Sequence, residues 1–348
     1  MCPSDPGIDI GTSSVKAVAA DGDGNIVARS RVPHPFFVPA PQRFEHDAVR
    51  AWRDGPRRAL DELGDVAPRG LSVAAIVPSL TAVDVDGVPI APGLLYGDER
   101  GDGDGVDDSP IAEAGELMSF LRWYVGEQPD ARGYWMAQAV ANHALCGRPV
   151  VSNLVAMTAH PLFDFTKWDE ARLAECGARP DQMPEIGPAT QALAELTDRP
   201  GCVLEGGTID ALGEQLVAGA DETGDVLVIL GTTLITWCVA DAAEPAEGHY
   251  AIPHTAAGKW LVAPSLIAEL VRRQNDYAVV VCIDYRAIGI AALLARGVTG
   301  RPVVFQAATD GVLSLARVRA ALNRSGVRSR RVGDLLVWPL QRLYDGAD

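Results

Sequence analysis

A lone carboxylate, Asp9, stands between Ile8 and Ile10. The chain then breaks into Gly11-Thr12-Ser13-Ser14 before an alternating segment that carries Lys16. Glycine lets a backbone approach a ligand closely. Successive N–H groups of a tight turn form a nest for anions, and Thr and Ser hydroxyls add donors. A turn of this composition can hold phosphate oxygens. Asp9, on the strand just before it, is placed to hold Mg²⁺ directly or through water. Lys16 offers a positive charge if its strand faces the same way. The sequence contains no G-x-x-x-x-G-K-[ST], which excludes a P-loop enzyme.

A similar stretch returns later. IGTSSVKAVAAD (Ile10–Asp21) and LGTTLITWCVAD (Leu230–Asp241) share a Gly-Thr turn and the same spacing, Gly11 to Asp21 and Gly231 to Asp241. Two related hairpins suggest two related domains, although Gly-Thr turns are common enough for coincidence to compete. On the repeat reading, Gly231, Thr232 and Thr233 form a second phosphate turn, and two such turns from opposed domains grip one nucleotide.

A further candidate lies in EGGTIDALGEQLVAG (Glu205–Gly219), where Asp210 opens a helix-like pattern. The helix dipole keeps a carboxylate there ionised. Asp210 reads either as an N-cap or as a general base that takes a proton from a substrate hydroxyl during phosphoryl transfer. Gly206-Gly207 would then leave room for a ligand. His249 and His254 have no third metal ligand nearby and read as loop histidines. Trp123, Trp135 and Trp168 read as packing residues. The acidic stretch Gly97–Asp108 puts Asp102, Asp104 and Glu113 at calcium-loop spacing, but Val106 takes a ligand position and Asp107 the place of the turn glycine. It reads as a solvated loop.

These residues need elements to carry them. The 348 residues suffice for two domains. Gly7–Ile10, Val15–Ala20 and Ile26–Val32 read as a β-meander. A Pro-rich extended stretch follows (Val32–Gln42), then a helix from Asp47 to Gly64, capped by Asp47 and kinked at Gly55-Pro56. Leu71–Val77 and Ala82–Val85 read as strands, Glu113–Val125 and Ala131–Leu145 as helices, and Ala211–Gly219 as a short helix. Asp225–Val239 reads as strand, turn, strand. Ala278–Ile283 and Pro302–Phe305 read as strands, Ile288–Ala295 and Leu313–Leu322 as helices, and Arg324–Arg331 as a mobile surface element.

The net charge of −16 disfavours nucleic acid and anionic membrane as partners. It leaves phosphorylated ligands possible through backbone N–H groups and a metal. The six cysteines are scattered without a C-x-x-C pair, which argues for a reduced, cytoplasmic chain and against a zinc site. The longest apolar run, Tyr277–Ile283, is too short to span a bilayer, and Met1–Gly11 shows no signal peptide.

The ordered set of motifs resembles the FGGY carbohydrate kinases, a family that includes xylulokinase and glycerol kinase. DIGTSSVK with Asp21–Asn25 resembles their first phosphate motif. GDERG resembles their W-x-D-x-R segment, which implies sugar-side roles for Asp98 and Arg100. SNLVAMTAHPLFDFTKWD (Ser152–Asp169) and Met183-Pro184-Glu185 resemble further family segments. GGTIDALGEQLVAG resembles the segment of the catalytic aspartate, and VILGTT the second phosphate motif.

The resemblance implies an α/β, actin-like, hexokinase-type (ribonuclease H-like) fold of two domains, with residues 1–221 as the first and 222–348 as a shortened second. It implies ATP and Mg²⁺ as cofactors, a small sugar or polyol as substrate, and compatibility with a homodimer. Four features depart from the family. Val77-Pro78 replaces its Met-His, and Ile283-Asp284-Tyr285 its Gly-Gly-Gly. Ala291 and Leu293 replace its Trp and Gln, and the second domain is short. The alternative expectation is therefore a degenerate or truncated relative without phosphotransfer.

Overall fold

Alternating apolar residues build the first hairpin. β1 (Asp5–Ile10) and β2 (Ser14–Ala20) pair antiparallel with Asp9 directly opposite Lys16. Ile8, Ile10, Val15, Ala17 and Ala19 are buried. The period of two therefore leaves Asp9 and Lys16 on the other face. β3 (Ile26–Pro33) returns antiparallel to β2 and completes the expected meander. Its turn is held by the Asp21 carboxylate, which accepts the Asp23 and Asn25 N–H groups at 3.0 and 2.9 Å.

The computed structural model describes residues 5–100, 116–189, 191–230, 234–242, 250–254, 258–263, 280–283 and 303–306. The chain divides into two compact units, Met1–Gly213 and Glu214–Asp348. In the first unit the remaining strands are β4 (Glu45–His46), β5 (Gly70–Ala75), β6 (Ser79–Val83), β7 (Gly93–Leu95), β8 (Gly133–Trp135), β9 (Val150–Ser152), β10 (Glu185–Gly187), β11 (Ala192–Leu196) and β12 (Arg199–Glu205). The main sheet has the order β11-β12-β5-β1-β2-β3. Its centre is parallel: β5 runs with both β1 and β12. A second sheet has the order β4-β7-β6-β8.

The expected helix after Asp47 is present in altered form. Asp47 Oδ1 accepts the Arg50 N–H at 3.0 Å, as a cap would. The chain winds as a π-helix over Val49–Asp54 and as an α-helix over Gly55–Asp61. A Cβ on Gly55 would lie 2.7 Å from Val15 Cγ2, so the glycine lets the helix rest on β2. The expected helix from Ala131 to Leu145 is corrected: its start is strand β8, and the helix spans Ala137–Cys146. Tyr134 and Trp135 are good strand residues, they pair with β6, and a Cβ on Gly133 would meet the Gln182 carbonyl at 2.8 Å.

In the second unit, Val226–Leu230 and Leu234–Ala240 pair antiparallel. Both copies of the sequence repeat therefore flank their Gly-Thr segment with antiparallel strands. The closing pairs differ by one residue, Ile10 with Val15 against Leu230 with Leu234. The strand beside Leu234–Ala240 is Trp260–Ala263, with Tyr250–Pro253 outside it. Val280–Ile283 and Val303–Gln306 form a parallel pair. The helices expected at Ile288–Ala295 and Leu313–Leu322, the Arg324–Arg331 element, and most of the acidic segment after Arg100 lie outside the described residues.

One buried amide ties the main sheet together. Gln138 Nε2 donates to the carbonyls of Val73 (2.7 Å) and Gly206 (3.0 Å), and its Oε1 accepts the Ser152 N–H at 2.8 Å. Gln138→Leu keeps the volume but strands three backbone groups. It is expected to lower unfolding free energy by about 2–4 kcal/mol, read as a lower urea midpoint at unchanged slope.

Candidate active site

Strand register decides where the proposed site residues sit. Ile10 pairs with Ala75 in the parallel β1/β5 ladder, and Ala75 forms a parallel bridge with Ile209. The ends of β1 and β5 are therefore level with Ile209, which lies beyond the end of β12. The next residue after Ile10 is Gly11, and the next after Ile209 is Asp210. With neighbouring strands about 4.8 Å apart, Ile10 and Ile209 lie about 10 Å apart. Asp210 and the Gly11-Thr12-Ser13 turn thus open on the same edge of the same sheet. Asp210 is exposed and begins the Asp210–Ala218 helix, its Oδ1 accepting the Ala211 N–H at 2.7 Å.

The two glycines before Asp210 serve packing. Gly207 has φ of 72°, and a Cβ there would meet the Val73 carbonyl at 2.3 Å. A Cβ on Gly206 would meet the Pro188 carbonyl at 2.2 Å. The room expected there for a ligand is filled by β5 and the Pro188-Ala189 backbone, which corrects that expectation. The loop has to pass this close for Ile209 to reach Ala75.

At the first turn, Lys16 Nζ lies 2.9 Å from Asp9 Oδ2. A Cβ on Gly11 would sit 3.5 Å from that carboxylate oxygen and 3.8 Å from the ammonium. Those are ordinary contact distances, and they place Gly11 directly beside both charges. The pair is solvent-accessible, and exposed pairs contribute only about 0–1 kcal/mol, so an incoming phosphate can draw Lys16 away at little cost. Mg²⁺ keeps several waters and needs one or two carboxylates plus phosphate oxygens. A single accessible carboxylate such as Asp9 beside the Gly11-Thr12-Ser13 turn fits that requirement. Among the described residues no group of three or more His, Cys, Asp or Glu could hold a metal by itself.

Two histidines absent from the sequence-based site lie behind the turn. His46 is fully buried; its Nδ1 accepts the Trp52 indole N–H at 3.0 Å, and its Nε2 lies 2.8 Å from the Thr12 carbonyl. The Ser13 carbonyl accepts the His34 backbone N–H at 3.0 Å. The two rings are 4.5 Å apart, edge to face. Burial, then the neighbouring His34, push the His46 pKa down to about 3 against the pull of the Thr12 carbonyl. Burial also lowers that of His34, against the Pro35 and Gly11 carbonyls. A signal was available in Glu45-His46-Asp47 followed by Trp52, but only the cap at Asp47 carried a local rule.

Asp98 and Arg100 form a buried ionic cluster. The Asp98 carboxylate accepts the Phe44 N–H (2.6 Å), the Arg100 N–H (2.9 Å) and two guanidinium N–H groups (2.9 and 2.7 Å). Arg100 Nη1 donates to Glu45 Oε2 at 2.8 Å, and the guanidinium lies 5.0 Å from the Trp123 ring centroid. Burial would lower the Arg100 pKa, but hydrogen bonds to Asp98 and Glu45 outweigh it and raise the value. Trp123 is thus a cation partner as well as a packing residue. Gly231, Thr232 and Thr233 lie outside the described residues.

No family model matches the chain. It is 22% identical over 269 residues to gluconokinase of Bacillus licheniformis, covering 65% of this chain and 50% of that protein. It is 26% identical over 140 residues to xylulose kinase of Staphylococcus epidermidis, covering 36% of this chain and 28% of that one. The crystal structure of xylulose kinase from Rhodospirillum rubrum superposes with a TM-score of 0.66 at 22% identity, over 84% of this chain and 66% of that one. The chain is similar to carbohydrate kinases of the FGGY type. Its fold is their actin-like, ribonuclease H-like one. It spans about half the length of the gluconokinases it matches. No helix among the described residues is long and apolar enough to cross a membrane.

A folded pKa near 3, against 6.5 for an ordinary histidine, means that the unfolded chain binds the His46 proton first. The resulting stability is complete above pH 6.5 and is lost as the pH falls towards 3. Urea unfolding between pH 6.5 and 4.5 should therefore show wild type losing stability more steeply than His46→Gln, by up to about 1.4 kcal/mol per pH unit.

Proposed function

We propose that the chain transfers the γ-phosphoryl group of ATP to a hydroxyl of a small sugar or polyol. The observation that carries this reading is the level alignment of Ile10, Ala75 and Ile209, which sets the first Gly-Thr-Ser turn and Asp210 along one sheet edge. In this reading Asp210 accepts the proton of the attacking hydroxyl. The new bond forms between that oxygen and the γ-phosphorus as the bond to the β-phosphate oxygen breaks, and ADP leaves.

Thr12 and Ser13 hold phosphate oxygens through backbone N–H and hydroxyl groups, Gly11 lets the backbone come close to them while its own N–H closes the turn on the Ser14 carbonyl, and Lys16 leaves Asp9 to neutralise charge. Asp9 would hold Mg²⁺, which when bound supplies charge neutralisation across the β- and γ-phosphates. The assignment of Gly231, Thr232 and Thr233 to a second phosphate turn rests on the sequence repeat, with an antiparallel strand pair on either side of it. Asp98 and Arg100 serve the sugar side by bracing β4 and the segment after β7, since their charged atoms are engaged with each other and with Glu45. A cytoplasmic location follows from the same reading.

The departure at Ile283-Asp284-Tyr285, where the family pattern has three glycines, favours one other reading, a relative that has lost phosphotransfer. A coupled ADP-release assay over pentuloses, polyols and hexoses separates the two. The kinase reading expects turnover with at least one acceptor. Asp210→Asn should reduce it by about 10²–10⁴-fold and leave Mg–ATP affinity, measured by calorimetry, within about twofold, because a general base contributes to the reaction and not to nucleotide binding. Wild-type turnover retained in Asp210→Asn overturns the role of Asp210. No turnover, together with no thermal stabilisation at millimolar Mg–ATP, establishes the second reading.

A further inference from the structure

We infer that His46 is a positioning residue for the phosphate turn: its Nε2–H holds the Thr12 carbonyl and so aims the Ser13 N–H outward. The inference rests on the phosphate-binding role proposed above for that turn.

The hydrogen-bond directions leave one arrangement. An indole nitrogen can only donate, so His46 Nδ1, 3.0 Å from Trp52 Nε1, must accept. A neutral imidazole carries its one proton on the other nitrogen. Nε2–H therefore donates to the Thr12 carbonyl, 2.8 Å away. A doubly protonated ring would set an N–H against the Trp52 N–H, so the neutral form belongs to this geometry.

The peptide linking Thr12 to Ser13 is planar, with its C=O and N–H pointing in opposite directions. Fixing the carbonyl on the buried imidazole turns the Ser13 N–H away from the core. The following peptide is held in turn, since the Ser13 carbonyl accepts the His34 N–H at 3.0 Å. The Gly11 N–H closes the turn internally on the Ser14 carbonyl at 3.2 Å. A nest works only if its N–H groups are aimed before the anion arrives, and His46 does this from the side opposite the ligand. Trp52 secures the ring, and its own position is fixed by Gly93, where a Cβ would lie 2.2 Å from the indole.

The test uses the full chain with ¹⁵N-labelled histidine, together with His46→Phe, His46→Gln and Trp52→Phe. Hydrogen exchange is followed over the peptide spanning Gly11–Ser14, and Mg–ATP affinity by calorimetry. Wild type should show His46 as the Nε2–H tautomer. His46→Phe should speed exchange in the turn, while the β11/β12 hairpin stays unchanged, and should weaken Mg–ATP by about tenfold, the worth of one charge-assisted contact. His46→Gln places an amide N–H near the same carbonyl and should restore both readouts to within about twofold.

An Nδ1–H tautomer, or a folded His46→Phe with unchanged turn exchange, overturns the inference. Should His46→Phe fail to fold, the tautomer and turn exchange in Trp52→Phe decide. A wild-type chain that binds no Mg–ATP overturns the kinase reading instead, and the spectrum and exchange data still judge His46.

Discussion

Parallel pairing at the centre of the main sheet is the constraint on which the site depends. Strands that run side by side in one direction end on one edge, and loops beyond their carboxyl ends share a crevice. β1, β5 and β12 are such a set. Two of the proposed groups of the first unit follow their ends: the glycine turn after β1 and the aspartate beyond β12. Had β12 joined the sheet antiparallel, Asp210 would lie a strand length away from Gly11, whatever its own chemistry.

The edge is maintained from within by the multiply bonded side chains of Gln138 and Asp98, while His34 Nε2 and Thr208 Oγ1 are buried without a hydrogen-bond partner. Gln138 bridges β5, β9 and the glycine loop with three hydrogen bonds. Asp98 takes four, two of them from backbone N–H groups. Buried polar groups are costly when unpaired, so such sites tolerate few alternative arrangements. The outward Asp9–Lys16 pair is the opposite case, a contact between hydrated groups and therefore free to exchange partners. Rigid polar cross-links below and exchangeable charges above are a reasonable division of labour for a surface that must receive a highly charged ligand.

Local patterns carried much of this into the sequence. The meander was legible because alternation, a Gly-Thr break and an Asp-x-x-Gly-Asn turn each act over a few residues. The second hairpin was legible because it repeats the first. Strand β8 was not: Gly133-Tyr134-Trp135 is only three residues long, and its pairing with β6 is a tertiary contact that a helical run downstream obscured. The glycines before Asp210 were misread because their demand comes from Val73 and Pro188, distant in sequence. His46 was missed for the same reason, since its partners Thr12 and Trp52 lie on different elements. The roles given to Asp98 and Arg100 came from resemblance, and only coordinates could show how completely their charges are engaged.

Strand β4 is only two residues long, yet it serves two neighbourhoods at once. Neighbouring side chains on a strand project to opposite faces. Glu45 turns to the guanidinium of Arg100, while the imidazole beside it turns to the Thr12 carbonyl. A slip of one position would present a carboxylate to a carbonyl oxygen, two acceptors with no proton between them, and leave a buried cation facing a neutral ring. Both mismatches penalise the same displacement, so this short segment acts as a two-tooth ratchet that locks the chain around Arg100 and the bend after Ile10 into a single alignment.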